Sequence, residues 1–351
     1  MCELLGMSFN QPVSPTISFI GLRHRGRINP DGWGLAFYPD SCAQVFKEPT
    51  TAEESQLADF LKDYPGIRSM IFVGHVRIGT AGPTSHKNTH PFNRELNGKE
   101  YVFAHNGTLD KDKYKQLETG RFKPIGDTDS EHVFCHLLHC IEKQGVTVWK
   151  EQDFAWLAHE ITEINHSGKL NCIFSDGEFL FAYHDSTCYK PLHYVHRIYP
   201  HGRIRMRDMD WEIDLAEEKD PSQAGFVVAT NPLTNESWEP FRPGEFVVFK
   251  GTMVYSNLRD IAESDGIRFT DLELKVLRML RASPHRLKHG EILRHLGYPR
   301  DEVRLSIQSL LNKGYILQDS RDGVNWDHKD ATFYTVTERQ NEIDWLIRSR
   351  K

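Results

Sequence analysis

The chain has 351 residues, 39% hydrophobic and 26% charged, with a formal net charge of −6; this is the ordinary balance of a soluble globular protein, long enough for two domains. No run of about 18 apolar residues is present, so no membrane-spanning helix is expected. The opening MCELLGMSFNQPV has neither the basic nor the long apolar region of a secretory signal, which makes the cytoplasm the expected location.

Apolar or alternating runs rich in Phe, Val, Ile and Tyr predict strands over residues 34–38, 69–76, 100–105, 171–175, 179–183, 225–229 and 245–250. Helices are expected over 52–63, preceded by threonines, over 130–142, opening on an Asp/Ser cap with Glu131 in its first turn, and over 153–165. Strands this numerous, interrupted by helices, indicate an α+β layered domain. From about residue 267 the texture changes. Residues 267–351 carry 16 Lys/Arg against 12 Asp/Glu, or +4, whereas the rest carry 27 against 37, or −10. Thr270 caps an amphipathic helix with Leu272, Val276, Leu277 and Leu280 at helical spacing. A second helix ends at Gly297, and a third runs from Pro299 to Gly314. A β-hairpin follows, with strands at 315–318 and 332–336 about a polar turn. This is the element order of a winged helix-turn-helix. The domains are therefore expected at 1–262 and 267–351, joined by the polar, Gly-containing stretch 262–266.

None of the six cysteines forms a Cys-x-x-Cys pair, so they read as free thiols. Cys2 stands apart by position. Removal of Met1 would leave it with a free α-amine of pKa about 7.7–8.0, able to serve as general base for its own thiol. Any residue can follow Met1, so Cys2 alone says little. Four further segments add to it: His24-Arg25-Gly26 with Asp31-Gly32-Trp33-Gly34; His75-Val76-Arg77-Ile78-Gly79-Thr80 followed by Asn88-Thr89-His90-Pro91-Phe92; His105-Asn106-Gly107; and Gly126-Asp127-Thr128-Asp129-Ser130-Glu131.

With these motifs in this order, the sequence resembles the class II glutamine amidotransferases from Met1 to about Lys250, and most resembles the compact stand-alone members that begin Met-Cys-Glu-Leu-Leu-Gly. The resemblance implies a four-layer αββα sandwich of the N-terminal-nucleophile (Ntn) hydrolases, here followed by a small winged-helix-like α/β domain. It implies Cys2 as nucleophile, and substrate-binding roles at Arg77, Thr80, His105 and Asp129. Glutamine carries an α-carboxylate and an α-ammonium. Arg77 can take the first in a bidentate fork and Asp129 the second. Asn106 through its side-chain NH₂ and Gly107 through its backbone N–H can stabilise the oxyanion. Each has an ordinary alternative: a surface ion pair, a helix cap, an Asn-Gly turn. Trp33 could wall the pocket or belong to the core.

No cofactor or metal is expected. His132, His136 and His139 share one helical face, and a polar face is the simpler reading than a zinc site. The expected reaction is hydrolysis of glutamine or a γ-glutamyl compound through a thioester on Cys2, with ammonia or an amine released to water or to a separate synthase subunit. The alternative is a glutamine-responsive regulator that reads DNA. Arg294, Arg300, Arg304 and Lys313 flank or lie on the second and third helices of the tail, but Asp301 and Glu302 occupy the third helix's first turn. Protein interaction or homo-oligomerisation is therefore favoured over DNA.

Overall fold

In the computed structural model the described residues are 2–79, 82–198, 201–220, 223–259, 270–312, 314–319, 328–336 and 343. Thr80, Lys313 and the expected linker 262–266 lie outside them.

The chain up to Ser256 runs β1 (Glu3–Val13), α1 (Thr16–His24), β2 (Trp33–Phe37), β3 (Gln44–Glu48), α2 (Gln56–Asp63), β4 (Ser69–Val76), β5 (Phe92–Leu96), β6 (Lys99–Leu109), α3 (Lys111–Tyr114), α4 (Asp129–Gln144), α5 (Glu151–Asn165), β7 (Gly168–Ser175), β8 (Leu180–Tyr183), β9 (His193–Arg197), β10 (Arg203–Arg205), β11 (Glu212–Asp214), α6 (Leu215–Glu218), β12 (Gly225–Ala229), β13 (Glu239–Pro240), β14 (Phe246–Phe249) and β15 (Met253–Ser256). Seven strands form one sheet in the order β13-β9-β12-β1-β4-β2-β3, and six form another in the order β15-β14-β8-β7-β6-β5.

Side-chain alternation explains the layering. Along β1, Leu4 enters the core between the two sheets with Val73, Val102, Ala104 and Ile173. Leu5, Met7 and Phe9 enter a second core with Phe19 and Leu22 of α1 and Leu61 of α2. A third core joins Phe103, Phe174 and Phe181 of the other sheet to Phe134, Leu138 and Ile161 of α4 and α5. Three cores between successive layers make the four-layer αββα sandwich implied by the resemblance. Burial of each such side chain is worth about 1.5–3 kcal/mol, so the strand ends that carry the site are rigidly placed.

Helix starts differ from expectation in detail. The helix expected at 52–63 begins at Gln56, because Ser55 rather than a threonine accepts from Ala58 N–H. Thr128 is the N-cap of α4 and accepts from Glu131 N–H, which puts Asp129 and Ser130 inside the first turn.

Two compact units are present. The first comprises Met1–His196, Ile204–Ile213 and Gly225–Ile261; the second comprises Arg197–Arg203, Asp214–Ala224 and Ala262–Lys351. Two inner stretches thus join the second unit, which a boundary drawn along the sequence does not reveal. Within the second unit, α7 (Asp271–Ala282), β16 (Leu287–Lys288), α8 (His289–Leu296), α9 (Arg300–Asn312), β17 (Ile316–Gln318) and β18 (Thr332–Thr335) follow one another. The strands pair antiparallel in the order β16-β18-β17. Leu272, Val276, Leu277, Leu280, Ile292, Val303, Ile307 and Leu310 meet in one core with Phe333.

Candidate active site

Cys2 precedes β1, whose register sets Glu3 opposite Val76 of β4. This places the thiol beside the end of β4. The Ile78 N–H donates to Cys2 Sγ, and the thiol donates to the Ile78 carbonyl, both at 3.3 Å. Burial pushes the thiol's pKa up, and the hydrogen bond from Ile78 opposes it only in part. With Met1 still attached, the sulfur is therefore held as a neutral thiol and needs a base.

Arg77 follows β4 and is buried. Its guanidinium donates to the carbonyls of Asp31 at 3.4 Å and Gly82 at 3.3 Å. Backbone bonds between Arg77 and the Asp31–Gly32 turn, at 2.7 and 3.0 Å, fix the main chain there. The Asp31 carboxylate accepts from Gly79 N–H at 2.7 Å. Asp31 was visible in the sequence only as part of a glycine-dense turn; its work is to hold the loop after Arg77.

Asn106 and Gly107 lie near the end of β6, not in a two-residue turn, and pair with Asn171 and Leu170 of β7. The Asn106 side-chain amide donates to the Cys2 carbonyl at 2.7 Å. That bond ties β6 in one sheet to the residue before β1 in the other. A Cβ at position 107 would overlap the Lys169 carbonyl and the His105 ring, so the site needs glycine there.

His105 is buried between Ser130 Oγ at 2.8 Å and the Lys169 carbonyl at 3.1 Å. Only a ring N–H can bond a carbonyl, so Nε2 donates to Lys169 and Nδ1 accepts from Ser130. Burial holds its pKa below the usual value, with Asp129 opposing. Asp129 accepts from Leu109 N–H and Ser130 N–H, both at 2.8 Å. A carboxylate offers about four acceptor positions, so room remains for a further donor.

Trp33 is a core residue. Its ring lies 5.9 Å from that of Phe19, in the layer under α1, and Nε1 donates to Glu48. This corrects the pocket-wall reading: β2 alternation turns position 33 toward the helices. Asn88, whose role no pattern signalled, is fully buried; it accepts from Asp127 N–H at 2.8 Å and donates to the Pro83 carbonyl at 3.0 Å. It thereby links the loop after Arg77 to the approach of α4. His132 and His136 bond the carbonyls of Leu117 and Glu118 at 3.0 and 2.6 Å, which accounts for two of the three histidines on that face.

Cys2, Arg77, Asn106, Gly107, His105 and Asp129 thus come from the ends of β4 and β6, the start of β1 and the start of α4. No helix among the described residues is long and apolar enough to cross a membrane.

Residues 1–267 match the family described as class-II glutamine amidotransferases. An uncharacterised protein of Methanocaldococcus jannaschii is 48% identical over 98% of this chain and 96% of its own length. YafJ of Escherichia coli, assigned as a glutamine amidotransferase, is 40% identical over 71% of this chain and 97% of its own. The 2.0 Å crystal structure of a predicted glutamine amidotransferase from Pseudomonas aeruginosa matches with a TM-score of 0.55 and 30% identity, covering 72% of this chain and 100% of that one. None of these supports a DNA-reading regulator. Over the greater part of its length, then, this chain belongs to the class-II glutamine amidotransferases and carries their Ntn-hydrolase fold.

Proposed function

We propose that the protein hydrolyses the side-chain amide of glutamine or of a γ-glutamyl compound through a γ-glutamyl thioester on Cys2. The observation that carries the reading is the bond from Asn106 to the Cys2 carbonyl. It brings the side-chain amide of the His-Asn-Gly motif onto the residue that bears the thiol.

With Met1 removed, the α-amine of Cys2 takes the thiol proton and Sγ bonds to the γ-carbonyl carbon. The resulting oxyanion is stabilised by donors of Asn106 and Gly107. The C–N bond breaks as the leaving nitrogen takes the proton from the ammonium. Water then attacks the thioester, freeing glutamate and restoring the thiol. Arg77 would hold the substrate's α-carboxylate and Asp129 its α-ammonium. Thr80 is proposed to assist at the same end. The released ammonia or amine passes to water or to a separate acceptor subunit.

Incubation with 6-diazo-5-oxonorleucine followed by peptide mapping tests the nucleophile. One adduct on Cys2, with labelling and glutamate release both lost in Cys2→Ala, is the expected outcome. Adducts on Cys135 or Cys172 would sink the mechanism; burial pushes the thiols of both well above their usual range.

A further inference from the structure

The turn after β8 is strained. Cys188 and Lys190 adopt positive φ, 59° and 90°, each at a cost of about 1–3 kcal/mol that the surroundings must over-determine. They do. Buried Asp185 accepts from Asn165 Nδ2 and Leu170 N–H at 2.7 Å, from Thr187 N–H at 2.8 Å and from Tyr189 N–H at 3.2 Å. The Lys190 carbonyl accepts from His184 Nε2 at 2.8 Å and from Asn171 Nδ2 at 3.4 Å. Asn171 is the cross-strand partner of Asn106, which holds the Cys2 carbonyl. The turn is therefore suspended one strand away from the nucleophile.

This turn presents Tyr189, half-buried, with two ammonium groups against its ring. Lys169 Nζ lies 4.4 Å and Lys190 Nζ 5.3 Å from its ring centroid. Burial raises the phenol's pKa, and negative charge at Cys2 and Asp185 acts in the same direction. Neither lysine is ion-paired with a carboxylate among the described residues. Arg77 and Asp129 between them already match both charges of the glutamyl group. Lys169 stands two residues before Asn171 on β7 and so on the sheet face that carries Asn106, and Lys190 carries the carbonyl that Asn171 bonds; two more cations on this face match a charge that glutamine lacks.

We propose that Tyr189, with Lys169 and Lys190 on its ring, forms the leaving-group side of the Cys2 site and selects γ-glutamyl amides whose departing amine bears an anionic group. The inference rests on the thioester reading above. The ring fixes both ammonium groups by cation–π contact, and they attract an oxyanion on the amine being expelled.

The test measures kcat/KM of the processed enzyme for glutamine, γ-glutamylglycine, γ-glutamylglycinamide and γ-glutamyl-aminomethylphosphonate. γ-Glutamylglycine should exceed its neutral amide about tenfold, the scale of two solvent-facing charge contacts. The ratio should fall to about one in Lys169→Met/Lys190→Met and persist in Lys169→Arg/Lys190→Arg. Lys169→Met alone, at an exposed side chain, should lower the ratio and carries the comparison if the double variant does not fold. Preference for the phosphonate over γ-glutamylglycine identifies a phosphate-type leaving amine; the reverse identifies a carboxylate. A ratio near one in the unaltered enzyme, or one unchanged in the Met variants, overturns the proposal while glutamine turnover leaves the thioester reading standing. Failure to release glutamate from every substrate, glutamine included, removes both.

Discussion

Under the proposed mechanism Asn106, near the end of β6, and Arg77, just past β4, act on different parts of the reaction. The Asn106 donor matters most when the γ-carbonyl oxygen becomes charged, so Asn106→Ala should lower kcat about 10²–10³-fold with a smaller change in KM. Arg77→Ala should instead raise KM for substrates with a free α-carboxylate and spare those whose carboxylate is blocked; equal losses on both would remove Arg77 from this role. Because the thiol's own pKa is pushed up by burial, a neutral amine is required, and kcat/KM should climb as pH rises through about 7.7–8.0. An enzyme retaining Met1 should show no such climb and little turnover. The motif residues were legible because their chemistry is carried by residue type. Trp33 was not, because an aromatic at a strand start looks the same whether it faces a pocket or a helix layer. Tyr189 left no mark at all: its significance depends on a locked turn and on lysines from two different places in the chain.

Strands that read as runs of Phe, Val, Ile and Tyr were readable even where every residue is buried, as in β8, β12 and β14, and strands whose runs are interrupted were not. β2, β4, β8, β12 and β14 lie within a residue of their expected bounds, whereas β6 continues to Leu109, through Asn106 and Gly107, and β7 begins at Gly168. β1 was missed because Gly6, Ser8, Asn10 and Gln11 interrupt its apolar run, leaving neither a continuous hydrophobic stretch nor a clean period of two. α1 was missed because Gly21 sits inside it, where a Cβ would strike Met206. At the start of α4, Thr128→Ala should cost about 1 kcal/mol of stability by freeing the Glu131 N–H. It should also raise KM more than it changes kcat, since Asp129 is the next residue; urea unfolding and steady-state kinetics check the two effects separately. The layer between the sheets supplies another expectation. His75 and His90 are buried with ring centroids 4.3 Å apart. Burial, then neighbouring positive charge, lowers the His75 pKa to about 3, and His90 is lowered as well. The unfolded chain takes these protons near 6.5. Their contribution is thus complete above about pH 6.5 and is lost as pH falls toward 3, by about 1.4 kcal/mol per pH unit for each histidine. Urea midpoints should drop between pH 7 and 5 and drop less steeply in His75→Gln. A flat profile in the unaltered protein would mean that the rings are not held neutral.

At the scale of the whole molecule, the proposed chemistry uses only residues of the first unit. YafJ is matched over 97% of its length while more than a quarter of this chain is left over. Removal of residues 267–351 should therefore leave glutamate release intact; its loss would show that the tail contributes to the site. We expect no sequence-specific DNA binding by the full chain at physiological salt, and any retained duplex should dissociate steeply with added salt. A tight site that survives that salt and is abolished by Arg304→Ala would contradict this. The central place of β1 has one more consequence. Its neighbours are β4, and β12 at Gly225–Ala229, so β1 is flanked by a strand made more than 200 residues after it. During synthesis the amino terminus therefore stays unpaired on that side until most of the unit has left the ribosome. Under the proposed mechanism, an aminopeptidase acting in that interval would uncover the Cys2 thiol before the closing strand completes the site.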